Sequence, residues 1–167
     1  TCAPCSGDFT ATDSAQLTSI THCSSISGDL TISESSLATL AGLATMNCLV
    51  SIGGSLIIEE NPELEDLKGL ATLETVQGDV RIRKNAALLH LNALAGLKSV
   101  GGSLEIGGKF GGNESLTQID GLSNLASVGD DVAVQKNPAL TNIDGLSKLN
   151  VVVGDLFIEG NTSLKSL

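Results

Sequence analysis

The chain has 167 residues, and 41% of them are apolar, but only three are Phe and none is Trp or Tyr. This length suffices for one domain with a sizeable core, and that core must be aliphatic. The net charge of −10 argues against nucleic-acid binding, which needs Lys and Arg to displace phosphate counterions. No apolar run reaches the roughly 18 residues that a membrane-spanning helix needs.

The charge is distributed unevenly along the chain. Residues 1–67 contain nine acidic residues and no Lys or Arg, whereas residues 68–167 contain ten acidic residues and all nine bases. Acidic surface of this kind favours solubility. The alternative interpretation is a cationic partner that binds near the N-terminal end.

Seven copies of one short motif follow each other along the chain, which indicates a repeat protein. The first copy, CSGDFTA from Cys5, is weak, and the second starts 21 residues later. The other six are ISGDLTI from Ile26, IGGSLII from Ile52, VQGDVRI from Val76, VGGSLEI from Val100, VGDDVAV from Val128 and VVGDLFI from Val152.

Each repeat contains two kinds of apolar pattern. The L-x-I core alternates between apolar and polar residues, which predicts a strand with two inward side chains. An Asn follows, and then every third residue is apolar, as from Leu64 to Val76. A period of three is typical of extended or 3₁₀-like segments. Stacked repeats bury one continuous core, so the fold class is all-β, a right-handed parallel β-helix or solenoid of about seven leucine-rich rungs.

Two polar columns accompany the repeat. Asn61, Asn85, Asn113, Asn137 and Asn161 occupy the turn after the strand. We expect these Asn side chains to satisfy backbone groups at a shared corner, although Asn113 and Asn161 also begin N-glycosylation sequons. The second column consists of Asp8, Asp29, Ser55, Asp79, Ser103, Asp131 and Asp155. Interchange of Asp and Ser favours turn capping over calcium binding.

The unit that begins at Val100 contains four extra residues, KFGG, at 109–112. Removing them restores the 24-residue spacing and returns Asn113 to the Asn column. No Lys-Ser/Thr pair or helix start accompanies these glycines, so a phosphate-binding loop is not indicated. We expect an outward bulge that carries Phe110, either as a contact loop or as a neutral insertion.

The repeat resembles the receptor L domain of the insulin and epidermal growth factor receptor ectodomains, and also the GPI-anchored fungal cell-wall proteins built on that module. The resemblance is carried by CSSISGDLTI (23–32), LKGLATLETVQGDVRI (67–82) and IDGLSNLASVGDDVAV (119–134). It implies extracellular ligand recognition, adhesion or wall architecture without catalysis. Ordinary leucine-rich repeats are the second choice, because the strict period of three leaves no room for an amphipathic helix.

The four Cys lie in the first third of the chain and allow three pairings. Zinc binding is the alternative to disulfides, but the spacings are loose. Disulfides that close the N-terminal end of the stack indicate an oxidising compartment. The resemblance implies the pairs Cys5–Cys23 and Cys2–Cys48.

The outward strand positions are the predicted binding face. The predicted ligand-binding residues are Ile57, Glu59, Arg81, Arg83, Glu105, Phe110 and Phe157. Neighbouring rungs should place Glu59 beside Arg83 and Arg81 beside Glu105. We therefore expect a non-catalytic extracellular module that binds a protein or glycan ligand. A structural cell-wall or matrix spacer is the alternative, and a polysaccharide-active enzyme is less favoured because aromatic sugar platforms are scarce.

The last rung carries only two of its Leu positions, Leu164 and Leu167. Solenoids need a polar cap to stay soluble, and none follows here. We expect residues 1–167 to form one β-solenoid domain of a longer, secreted or surface-anchored protein, with the C-terminal end covered by a further domain or subunit. No motif in the chain indicates a cofactor, a catalytic group or a resident metal.

Overall fold

The computed structural model describes residues 1–41 and 48–165, in which two parallel seven-stranded sheets run along the stack. The first sheet, sheet A, contains β1 Ala3–Cys5, β3 Cys23–Ile26, β5 Ser51–Ile52, β7 Thr75–Val76, β9 Ser99–Val100, β11 Ser127–Val128 and β13 Val151–Val152. The second, sheet B, contains β2 Phe9–Ala11, β4 Leu30–Ser33, β6 Leu56–Glu59, β8 Val80–Arg83, β10 Leu104–Gly107, β12 Val132–Gln135 and β14 Leu156–Glu159. Each rung contributes one strand to each sheet, which confirms the seven-rung solenoid.

The strands of sheet B are those predicted from the alternating L-x-I core. In β6, Leu56 and Ile58 are fully buried, whereas the residues between and after them are half-buried on the outer side. The same alternation recurs in β8 and β12. Because parallel pairing is in register, equivalent residues stack directly on one another and form continuous apolar columns.

The segments with an apolar residue at every third position contain short 3₁₀ helices, as the period of three predicts. They span Lys68–Leu70, Asn92–Leu94, Asp120–Leu122 and Asp144–Leu146. In the first of them, the Leu70 amide donates to the Leu67 carbonyl at 2.9 Å. One internal column contains Leu70, Leu94 and Leu122, all fully buried, and ends in the partly buried Leu146.

Two features were not predicted. The two-residue strands of sheet A were not recognised as a second sheet. The first rung also has one α-helix, α1 Ser14–Ser19, where the other rungs have period-three segments. Asp13 caps this helix, since its carboxylate accepts from the Gln16 amide at 2.8 Å. Leu17 is the residue through which α1 enters the core.

The Asn column forms a buried hydrogen-bonded ladder along the stack. From Asn85 onward, each Asn Oδ1 accepts from the backbone amide of the Asn one rung before it, as Asn113 does from Asn85 at 3.2 Å. Each Nδ2 also donates to the carbonyl of the preceding strand, as Asn113 does to Ile82 at 2.9 Å. The first member, Ser35, was not predicted and donates its hydroxyl to Asn61 at 2.6 Å. The expected role of the Asn column is therefore confirmed.

The Asp/Ser column is a second ladder that connects successive rungs. Asp79 Oδ1 accepts from the Ser103 amide at 2.8 Å, and Asp131 Oδ1 accepts from the Asp155 amide at 2.7 Å. These acceptors stabilise the next rung rather than their own turn. Gly102 is required here by space rather than by its backbone angles, because a Cβ would collide with Asp79 Oδ1.

The two ends of the stack differ. Disulfides Cys2–Cys48 and Cys5–Cys23 lie in the N-terminal part, and these are the pairs that the resemblance implied. At the other end, the apolar side chains of the last described rung are uncovered, with Val153 72% and Leu156 57% exposed. Leu167, the final Leu position noted in the sequence, lies outside the described residues. Among the described helices, none has the length and apolar character needed to cross a membrane.

Candidate ligand-binding face

The outward side of sheet B, hereafter the strand face, presents two columns of side chains. Parallel register places Ile57, Arg81, Glu105, Ala133 and Phe157 in one column. Glu59 and Arg83 are paired in the second column, in which Gln135 and Glu159 follow two and three rungs after Arg83. The positions assigned from the sequence therefore share one surface, with the exception of Phe110.

Charged residues of three rungs form one connected network on this face. Arg83 Nε donates to Glu59 at 2.7 Å, and Arg81 Nε donates to Glu105 at 2.8 Å, as predicted. A longer contact of 3.8 Å between Arg83 and Glu105 joins the two pairs. The hydrogen bond to Glu105 raises the pKa of Arg81, although partial burial acts in the opposite direction. Both guanidinium groups are thus held in fixed orientations.

A groove of about 300 Å³ opens beside this network. Its lining includes Asp79, Arg81, Glu105, Asp131, Ala133 and Phe157. Ala133 creates the depression, because its small side chain stands in the column between Glu105 and the larger Phe157. One wall is therefore charged and the other is aromatic, which is the combination expected of a recognition site.

The sequence did not identify Asp79, Asp131 or Ala133 as binding residues. Both Asp belong to the ladder through Oδ1, and their place beside the groove follows only from the fold. The available signal was Ala133, the one small apolar residue among larger side chains in its column. Once the strand register is known, a small side chain between Glu105 and Phe157 predicts a depression in the surface.

The two apolar residues of the face differ from each other. Phe157 is 43% exposed and contributes to the groove, as the sequence predicted. Ile57 was expected to stand exposed but is half-buried. Its neighbours explain the difference, since Thr31 and Arg81 flank it on adjacent strands. Ile57 therefore offers a ligand less apolar surface than expected.

Phe110 does not line the groove. It lies on the four-residue insertion and is 71% exposed, with the Lys109 ammonium 6.0 Å from the centre of its ring. The glycines that follow it, Gly111 and Gly112, line a different cavity. The expectation that Phe110 would rim the same surface is therefore not met.

The two sequon asparagines are members of the buried ladder. The Asn113 side chain is fully buried, and its Nδ2 donates to Ile82 and Asn137. Asn161 is 9% exposed and donates to the Val134 carbonyl at 2.7 Å. A glycan on either nitrogen would replace a ladder hydrogen bond, so the folded structure favours the structural role of both residues.

The cysteines do not provide a zinc site. Cys5, His22 and Cys23 lie close enough together to share an ion, and His22 Nε2 is 3.7 Å from Cys5 Sγ. Zinc requires thiolate ligands, however, and all four Cys are disulfide-bonded. The disulfide pairing therefore overturns the zinc alternative.

The other His of the chain is His90. Its buried Nδ1 has no hydrogen-bond partner among the described residues.

The repeat sequence also has a recognisable relationship to known proteins. The model of the receptor L domain family matches residues 22–98. Residues 22–98 of this chain are receptor L domain-like. The match covers the rungs from β3 to the residue before β9, and the same strand pattern continues to β14. Neither a curated protein nor a solved structure matches the chain.

Receptor L domains are extracellular, non-enzymatic modules that bind protein ligands, and this relationship suggests a ligand-binding role here. The two disulfides are consistent with that environment, because such bonds persist in oxidising compartments.

Proposed function

We propose that this receptor L domain-like chain is a non-catalytic extracellular recognition or adhesion module that binds a protein or glycan ligand through the strand face. The observation that carries the proposal is the groove between the Arg81–Glu105 ion pair and Phe157. A fixed guanidinium provides directional donors, and an exposed ring provides apolar contact area. Such a surface suits selective binding better than a uniformly polar one.

The charge of the groove indicates the preferred kind of ligand. Asp79, Glu105 and Asp131 contribute three carboxylates, whereas Arg81 is the only base among the six lining residues named above. A ligand group that carries a positive charge is therefore attracted, and it can also interact with the face of Phe157. These features favour a protein ligand that presents a Lys or Arg side chain.

The test begins with an array of extracellular proteins and glycans probed with the intact chain. Ligands found there are then tested against the variant Arg81→Glu/Arg83→Glu. The control is Lys98→Glu/Lys148→Glu, which changes the net charge by the same amount at two lysines outside the strand face; their ammonium groups contact Glu74 and Asn124. We expect the first variant to lose binding although it adds negative charge, because it removes the guanidinium donors and the ion pairs that fix Glu59 and Glu105. The control should retain binding, with folded spectra in both.

Equal binding by both variants would place the ligand elsewhere. The absence of any ligand on a broad array would favour the structural alternative, a wall or matrix spacer. Melting curves separate either result from misfolding, because a variant that has lost its fold also loses its cooperative transition.

We also propose that the chain is one domain of a larger surface-anchored protein and that a further domain or subunit covers its last described rung. The support is the exposure of Val151, Val153 and Leu156, which form an uncovered apolar end. Light scattering of the isolated chain tests this proposal. Association that is abolished by Leu156→Lys supports it, whereas a monomer unaffected by that change argues against it.

A further inference from the structure

A second cavity, of about 410 Å³, lies at the corner that follows the strands of sheet B. Its lining includes Lys84, Gly111, Gly112, Glu114, Lys136 and Pro138. These residues belong to the four-residue insertion or flank the Asn ladder in three successive rungs. The cavity and the groove of the strand face have no lining residue in common.

The insertion that forms one wall of this cavity has a defined conformation. The Gly111 amide donates to the Gly108 carbonyl at 3.1 Å, and the Lys84 amide donates to the Gly112 carbonyl at 2.9 Å. Gly108 and Gly111 have φ angles of +145° and +144°, which residues other than glycine rarely adopt. A Cβ on Gly112 would collide with the Lys136 carbonyl. The backbone conformation of this wall therefore depends on its glycines.

The lysine ammonium groups around this cavity are only partly paired with other groups of the protein. Lys84 pairs with Glu60 at 2.7 Å, but Lys136 Nζ donates to the Lys109 carbonyl at 2.7 Å. Within the described residues, neither Lys109 nor Lys136 has a carboxylate partner, although the chain has 19 acidic residues. An ammonium group has three donors. Lys136 therefore retains donors for a ligand.

We propose that this cavity binds a carboxylate-bearing sugar, that is, a uronic acid unit of an acidic glycan. The Lys136 ammonium binds the sugar carboxylate, with Lys84 on the neighbouring side of the cavity. Glu114, which has no basic partner among the described residues, accepts from the sugar hydroxyls. The exposed Phe110, next to the lining residue Gly111, supplies a ring at the rim for the apolar face of the sugar.

An acidic peptide fits the cavity less well. Peptides bind solenoid edges by adding a strand, which requires unpaired backbone groups. Here the amides of Lys84, Gly108 and Lys136 already donate to carbonyls of the next rung or the insertion. The carboxylate side chains of an acidic peptide would also offer Glu114 no donor, whereas the hydroxyls of a uronic acid can donate to Glu114 while its carboxylate binds Lys136. The cavity volume lies in the range of small-ligand sites, about 300–1,000 Å³.

Amide chemical-shift titration by NMR tests the assignment with trigalacturonate as the probe. The comparison ligands are the neutral galactose trimer and triglutamate. We expect trigalacturonate to shift the amides of Gly111 and Gly112, and we expect the neutral trimer to bind at least tenfold more weakly. Lys136→Gln should reduce the affinity at least tenfold, and Lys136→Arg should restore most of it. The matched control is Lys148→Gln, which removes the same charge from a lysine that contacts Asn124.

Several outcomes would overturn the assignment. Equal binding of the neutral trimer would show that the carboxylate is not recognised. Equal binding of triglutamate would assign the cavity to acidic peptides. Equal effects of Lys136→Gln and Lys148→Gln, or no shifts at Gly111 and Gly112, would remove the cavity as the site. None of these results depends on ligand binding by the strand face, since Arg81→Glu/Arg83→Glu leaves the cavity lining intact.

Discussion

Replacing Asn113 with Ala should destabilise the stack by removing the middle of the Asn ladder. The side chain is fully buried and makes four hydrogen bonds. Its Oδ1 accepts from the Asn85 backbone and side-chain amides, both at 3.2 Å. Its Nδ2 donates to the Ile82 carbonyl at 2.9 Å and to Asn137 Oδ1 at 3.1 Å. Alanine can replace none of these contacts.

The expected magnitude follows from the groups that lose a partner. The Asn85 backbone amide and the Ile82 carbonyl each lose a ladder hydrogen bond in a site without exposed surface. A buried polar group left without a partner costs about 1–3 kcal/mol. The two backbone groups together should therefore lower the free energy of unfolding by about 2–6 kcal/mol.

Urea denaturation followed by far-UV circular dichroism measures this change, because the chain contains no Trp or Tyr for fluorescence. Ser35→Ala is the matched control in the same column. It removes one hydroxyl bond to Asn61, whereas the Ser35 amide keeps its bond to the same oxygen. A cost of about 0.5–1.5 kcal/mol is expected there. An Asn113→Ala cost no larger than that of Ser35→Ala would refute the structural role of the ladder.

Three further predictions concern the core, the disulfides and one acidic corner. Leu122→Ala should cost about 2–5 kcal/mol through its cavity, and Leu146→Ala should cost less because Leu146 is only partly buried, as urea melts of both variants will show. Thiol titration of the unfolded, unreduced chain should find no free thiol. The double variant Cys2→Ser/Cys48→Ser should lose about 2–4 kcal/mol of unfolding free energy. Four free thiols, or one bound zinc per chain, would contradict both disulfides. Burial alone would raise the pKa of Asp66, but hydrogen bonds from Thr39 and Lys68 hold it below its usual value of 3.8. The stabilisation from Asp66 is therefore present above that value and lost as the pH falls through the lower, folded-state pKa. Melting temperatures should thus fall further on acidification in the parent chain than in Asp66→Asn, and equal losses would contradict the assignment.

The features that could be predicted from the sequence are those that recur in every rung. Alternation in L-x-I predicts sheet B, and the 24-residue spacing predicts the pairing of Arg81 with Glu105 that the structure shows. The period of three indicated 3₁₀ turns, and four are present in the described residues. Such features are predictable because the same sequence pattern occurs again in every rung.

The features that could not be predicted are short or depend on neighbours. The two-residue strands of sheet A, such as Thr75–Val76, are too short to show alternation. The helix Ser14–Ser19 is the one α-helix in the part of the chain that the structure describes, so it does not recur as the strands do. The groove depends on Ala133 lying between Glu105 and Phe157. That difference in volume has meaning only after the rungs are stacked.

The substitution Ala133→Trp tests most directly whether the strand-face groove is the recognition surface. It fills the groove without removing a charge, an ion pair or a ladder hydrogen bond. Thr31→Trp is the control, since it places the same side chain in the same outward column beside Ile57, away from the groove. With a ligand from the array, the account predicts that Ala133→Trp abolishes binding while Thr31→Trp retains it and both variants melt like the parent chain. Unchanged binding by a folded Ala133→Trp variant would contradict the assignment of the ligand site to this groove.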